Sequence, residues 1–363
     1  MYYKKAFFNF IKAFCFLFLC VFSIIYISDP YRLFHDKIWD SDKMYHDMRV
    51  QAYGLIKYQD FDNIVTGSSM MENTSAKEAE HKLGGTWINL SYSAQRTFER
   101  FKTLNYALSK RKINNIIIGV DYMYAAHSFE KNFEEKLYDD DIFTKWRIYL
   151  NSNAMSCIFL GHNCKLKEID LDRPNMWAKE NYHARRFGGF SNWLKFAHED
   201  DQIKGAFKQL LSDVPDCNDG QHYKQIVDEE ILPLFEHTDT TFHLIISPYS
   251  ALYWAHFLKN YDCMMKGYEY LIERSQKYNN VHIYWLYDEK FVFDITKYKD
   301  LTHYAMDINS LFIDVIKKQS HIINTSNYQQ KIGDFKKNLQ SFNLDYYIKQ
   351  INKYYETEKT SDS

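Results

Sequence analysis

Residues 115–120 read Asn-Ile-Ile-Ile-Gly-Val, an apolar run with no polar alternation. A half-exposed strand alternates with period two, whereas a strand buried on both faces does not. So short a run between polar stretches fits the interior of a sheet with helices on both sides. Phe242-His243-Leu244-Ile245-Ile246 is a second run of this kind, stopped by Ser247-Pro248. Asn63–Thr66, Thr86–Leu90 and Val281–Trp285 complete a set of five short strands. Helical spacing separates them: residues 74–82, ended by Gly84-Gly85; 95–109, with Phe98, Phe101, Leu104 and Leu108 on one face; a long segment from Tyr253 to Tyr278; and 305–319. Strands alternating with helices predict an α/β fold, a doubly wound, flavodoxin-like, parallel five-stranded sheet.

Between the third and fourth strands, residues 129–240 form an insertion of about 110 residues, far too long for a loop. It carries a basic aromatic patch (His183, Arg185, Arg186, Phe187), together with Trp177 and Trp193. It reads as a large helical insertion, a lid or substrate-binding subdomain, or as padding packed on the sheet. The predicted domains are an anchor at 1–28, a connector at 29–59, a core at 60–322 and a helical tail at 323–363. Aromatic content is 18%, which suits either a ring-rich core or a sugar-binding surface; the core is the plainer reading.

Phe7 to Ile27 is apolar apart from Asn9, Lys12 and Ser23, and a membrane-spanning helix needs roughly 20 residues. Lys4, Lys5 and Lys12 precede the uncharged stretch and Asp29 closes it. The positive-inside rule then places the N-terminus in the cytoplasm and the rest outside, as a single-pass protein of the inner membrane. No small-residue cleavage site follows, so an uncleaved transmembrane helix is expected rather than a signal peptide. A net charge of -2 gives no electrostatic reason to expect nucleic acid as a partner. Cys157, Cys164, Cys217 and Cys263 lie beyond the anchor and permit two disulfides, with Cys157–Cys164 the easiest loop to close. His162, His183, His237, His243 and His256 show no metal-ligand spacing, so neither a metal nor another cofactor is expected.

The first strand ends in Gly67-Ser68-Ser69, which places a serine at a strand's carboxyl end ahead of a helix. A hydroxyl there needs a base to take its proton, and the base needs a carboxylate to fix its tautomer. Asp300-Leu301-Thr302-His303-Tyr304, after the fifth strand, offers both from one turn. In parallel α/β sheets the carboxyl ends of strands meet at one crevice, so these two loops are expected to meet.

On these two blocks the chain resembles the SGNH/GDSL hydrolase superfamily. It is most similar to the membrane-anchored branch typified by the D-alanyl transfer protein of lipoteichoic acid modification and by partners of surface-polysaccharide acyltransferases. The resemblance spans roughly residues 60–320, with the insertion unmatched. It implies Ser69 as nucleophile, His303 as base and Asp300 as its orienter, with Ser68 the competing hydroxyl. It also implies an oxyanion site built from the Ser69 N–H and, in place of the usual glycine, the Ser91 N–H. The family's asparagine donor is replaced by Asp121, which cannot donate when ionised. Asn73 is the candidate substitute, with helix capping as its other reading. Loss of one donor costs about 3 kcal/mol of transition-state stabilisation. The implied activity is cleavage or transfer of an acyl ester, acetyl above all, on a cell-envelope polysaccharide. The implied partners are that glycan and a multipass membrane acyltransferase; the alternative is a catalytically weak accessory protein.

Overall fold

The computed structural model describes residues 2–36, 43–45, 48–121, 133–160, 166–168, 172–173, 185–217 and 221–361. His162, Cys164, Trp177 and His183 lie outside them. The chain divides into two compact units, 1–60 with 129–170, and 61–128 with 171–363. The expected connector and the first part of the insertion therefore share one unit.

In the first unit, Tyr2–Ser28 is a single helix, long and apolar enough to cross a membrane. Phe7, Phe10, Phe14 and Leu17 are exposed on it. Asp29 ends the helix and turns the chain. Its buried carboxylate accepts the N–H groups of Leu33, Phe34 and His35 and the Tyr149 hydroxyl. Tyr149 also accepts from the Tyr31 N–H and stacks on the Tyr31 ring. Helices Met48–Tyr58, Ile142–Tyr149 and Ser152–Leu160, with the antiparallel pair Lys43–Tyr45 and Leu166–Glu168, also belong to the unit. Cys157 is disulfide-bonded.

The second unit holds the sheet. Its strands are β1 (Asn63–Thr66), β2 (Trp87–Asn89), β3 (Asn115–Val120), β4 (Thr241–Ile246) and β5 (Val281–Trp285), all parallel, in the order β2-β1-β3-β4-β5. The order reverses at β1 and β3, where ligand crevices form in open α/β sheets. Right-handed crossovers then put helices Ala76–Leu83 and Met306–Lys318 on one face and Thr97–Lys110 on the other. The continuous apolar runs are buried as expected: β3 and β4 are closed to solvent along all but their first residue.

Gly67 and Gly119, on the neighbouring strand ends of β1 and β3, leave room for the buried Met71 side chain. A Cβ at either would stand 2.3 or 2.4 Å from Met71 Cγ. The glycine of the serine motif is thus needed for close packing rather than for an unusual φ.

The expected long helix at 253–278 is broken into Ala251–His256, a 3-10 turn at Leu258–Asn260 and Tyr261–Ser275. The break lets both Trp254 and Tyr261 bury against Phe335. Phe335 belongs to Tyr328–Gln340, so the first helix of the expected tail closes the core instead of hanging from it; Leu344–Ser361 follows. A disulfide joins Cys217 to Cys263 in the first turn of the Tyr261 helix. Arg186, one member of the basic aromatic patch, is not exposed. It is buried, bonded to Asp200 and Gln202, and its carbonyl accepts from the Trp193 indole.

Candidate active site

The serine follows β1, but not at a helix N-terminus. Two consecutive turns, closed by Met71 N–H to Ser68 O and Thr74 N–H to Met71 O, carry residues 68–74. The helix starts later, at Ala76, and its N-cap is Ser75, whose hydroxyl accepts from the Glu78 N–H. Asn73 therefore does not cap it, and across this spacing the helix dipole acts only weakly on the serine.

Two buried asparagines hold the carbonyls of these turns. Asn89, at the end of β2, donates to Met71 O and Thr74 O at 3.0 and 2.7 Å. Asn309, from the 306–318 helix, donates to Met70 O and the Thr74 hydroxyl. Both residues are fully buried. Neither was singled out in the sequence, although an asparagine inside the apolar run Trp87-Ile88-Asn89-Leu90 was the available signal. Replacing Asn89 with leucine should lower stability by about 3 kcal/mol, because three hydrogen bonds go and the turn carbonyls lose their donor. A urea midpoint unchanged from the parent would contradict this role.

Asp300 and His303 sit on a loop pinched at its base by the Tyr298–Tyr304 bridge, with Lys299 N–H to His303 O and Ala305 N–H to Lys297 O. Both tyrosines are fully buried, and the Tyr298 hydroxyl donates to Pro248 O. The Ser250 side chain ties Leu301 O to the turn after β4. Asp300 Oδ1 accepts the N–H groups of Thr302 and His303 at 2.9 and 2.8 Å. His303 Nδ1 meets Asp300 Oδ1 and Oδ2 at 3.0 and 2.9 Å.

The two loops meet. Ser69 Oγ lies 2.8 Å from His303 Nε2. With Nδ1–H given to the carboxylate, Nε2 is left as the acceptor of the serine proton. Ser68 is turned away: it is buried and its hydroxyl accepts from the Met70 N–H. Burial alone would push the Asp300 carboxyl up. The charge it faces at His303, the hydrogen bonds from that residue and the nearby Lys299 outweigh burial and hold it far below the usual carboxylate range. Lys299, a buried ammonium 3.9 Å from Asp300 Oδ2, is a third residue the sequence did not flag.

The expected oxyanion donors are only partly in place. The Ser91 N–H donates to Asn89 Oδ1 at 2.9 Å, because the same amide that fixes the serine turn folds back on it; Ser91 is thus already engaged. Asp121 pairs with Arg100 at 3.7 Å and accepts the Ser247 hydroxyl, so it anchors strand ends and donates nothing. The Asn73 side chain is buried with no partner on either amide atom. Ala94 is a further residue missed in the sequence. It is exposed in the turn after β2 at φ 55, a left-handed conformation that costs a non-glycine residue energy. That turn is fixed beside the serine by Tyr92 N–H to Gly67 O and by the Ser93 hydroxyl to the buried Glu72 carboxylate.

His243 is buried, stacks on His282 and contacts the Tyr284 hydroxyl; burial and the neighbouring His282 push it down to about 4. Neither a scan against protein-family models nor a comparison with curated proteins returns a match to this chain.

Proposed function

We propose that the protein is a serine-dependent ester hydrolase or O-acyltransferase of the SGNH type, acting on acyl esters of a cell-envelope polysaccharide. The observation that carries this reading is the continuous row Ser69 Oγ, His303 Nε2, His303 Nδ1 and Asp300, linked at 2.8 and 2.9 Å. His303 takes the proton as Ser69 Oγ bonds to the ester carbonyl carbon. The same proton then goes to the departing alcohol, leaving an acyl-serine. Water, or a second sugar hydroxyl, gives up its proton to His303 and takes the acyl group. Asp300 balances the imidazolium formed in both halves.

Within this reading the oxyanion takes the Ser69 N–H, the Ala94 N–H and the Asn73 amide as donors, with Ala94 in the role expected of Ser91. The Tyr2–Ser28 helix supports anchoring in the inner membrane, with the catalytic unit facing outward and a multipass acyltransferase as acyl donor. The direct test is a fluorophosphonate probe on the full-length protein in detergent, followed by peptide mapping. Label on Ser69, lost in His303→Ala, is the expected result; label elsewhere, or none, removes the assignment. A second reading, a non-catalytic accessory that binds glycan or the acyltransferase, is favoured by the engaged Ser91 N–H and the Arg100-paired Asp121. It predicts co-purification with the acyltransferase and no labelling.

A further inference from the structure

On the 97–110 side of the sheet, a small cavity lies among that helix, the ends of β3 and β4 and a π-helical turn at Val227–Ile231. Phe101, Ile118, Val120 and Leu234 form an apolar wall, and Gln95, Arg100 and Glu230 are among the polar groups that line the rest, with Asp121 and Arg96 at its edge. Gln95 is 4% exposed. Its Oε1 is fixed by the Thr66 hydroxyl and by Arg100 Nε, so the amide cannot turn round. Its Nε2 is buried with no acceptor among the described residues. A buried donor left unpaired costs about 1–3 kcal/mol, so its persistence calls for an acceptor from outside the chain. The Arg100 guanidinium adds positive charge beside it, bonded to Gly119 O and only 3.7 Å from Asp121.

We propose that this cavity is a binding site for a free short-chain carboxylate of two or three carbons, with its carboxylate on Gln95 Nε2 and Arg100 and its alkyl end against the apolar wall. Size argues for this class. The cavity measures about 50 Å³. One water needs roughly 10–15 Å³ on the same measure, so there is room for about three to five heavy atoms, which acetate and propionate have. The second oxygen of such a ligand needs a donor, and Glu230 supplies one while protonated. Burial and the adjacent Glu229 raise its carboxyl to about 7, with Arg100 opposing. The π-helical turn, an uncommon geometry often kept where side chains must be re-aimed, brings Glu230 and Ile231 onto the same wall. This site does not depend on the chemistry of Ser69.

The test is titration of the full-length protein in detergent with propionate, methyl propionate and hexanoate, read by ligand-observed NMR and repeated on Ser69→Ala. Propionate should bind the parent and Ser69→Ala alike. Methyl propionate should bind at least tenfold more weakly, since it lacks the charge, and hexanoate should not fit. Gln95→Leu should weaken propionate about tenfold or more. Raising the pH from 6 to 8 should weaken binding to the parent, because Glu230 then ionises and joins Glu229 and Asp121 against the anion, with Arg100 and Arg96 the nearby cations. Glu230→Gln, on the opposite wall, should keep the affinity at pH 8 and so separates a lost site from a misfolded one. Equal binding of the ester, equal binding to Gln95→Leu, or no propionate binding at tens of millimolar would overturn the proposal.

Discussion

Ser69→Ala is expected to lower hydrolysis of p-nitrophenyl acetate by the full-length protein roughly 100,000-fold or more, and His303→Ala by a similar factor. The expectation rests on contact: the two side chains meet at 2.8 Å. Ser68 is one residue away, but its hydroxyl is buried and held by the Met70 N–H. Ser68→Ala should therefore stay within a few-fold of the parent. The double variant Ser69→Ala/His303→Ala should be no slower than either single one, because groups acting as one unit do not lose their effects additively. If both single variants turned over ester at the parent rate, the row of contacts would be a packing feature and the accessory reading would replace the enzyme. One oxyanion donor is worth about 3 kcal/mol, so the parent rate also rests on the Asn73 amide, because the Arg100-held Asp121 cannot donate in its place.

The parts of this arrangement that could be read from the sequence are those fixed by local pattern. Asn115–Val120 and Phe242–Ile246 were legible as buried strands because burial on both faces removes polar alternation over a few residues. The meeting of Ser69 with His303 was legible because parallel strands put their carboxyl ends on one edge, whatever lies between them. What depended on long-range pairing was not. Ser91 lost its expected role to a side chain only two residues away, yet the reason is Asn89's duty toward the serine turn, set by the β1–β2 register. Arg186 read as one member of a basic aromatic patch and proved to be a buried partner of Asp200. The segment 29–59 read as a connector because its partners, Tyr138 and Tyr149 among them, come from more than eighty residues away.

The break at Leu258–Asn260 has the same origin. Residues 253–278 have helical spacing throughout, and local propensity favours one rod. Burying Trp254 and Tyr261 against the 328–340 helix requires a change of direction that no local signal announces. The site follows this division closely. Nucleophile and base stand on short, locally coded loops, while the residues that position them (Asn89, Asn309, Lys299) are defined only by what folding brings near.

Asp300→Asn tests that positioning more sharply than any deletion. Asp300 Oδ1 accepts two backbone N–H groups, from Thr302 and His303, at 2.9 and 2.8 Å. An asparagine there would keep its carbonyl oxygen toward those donors, since the amide nitrogen cannot accept them. The nitrogen must then occupy the place of Oδ2, 2.9 Å from His303 Nδ1. Oδ1, 3.0 Å from Nδ1, is already shared between the two backbone N–H groups, so the amide donor facing Nδ1 favours the tautomer in which His303 carries its proton on Nε2. In that tautomer Nε2 can no longer accept from Ser69. The loop should hold its shape, because the backbone contacts survive, while turnover falls on the order of 10,000-fold near neutral pH. Thermal unfolding should move far less than activity, and that separation is the signature of a tautomer effect. At high pH, hydroxide in solution can deprotonate the serine without the imidazole, so part of the lost rate should return. Loss of activity in step with loss of folding would instead make Asp300 a structural clamp for its loop and leave the tautomer argument without support.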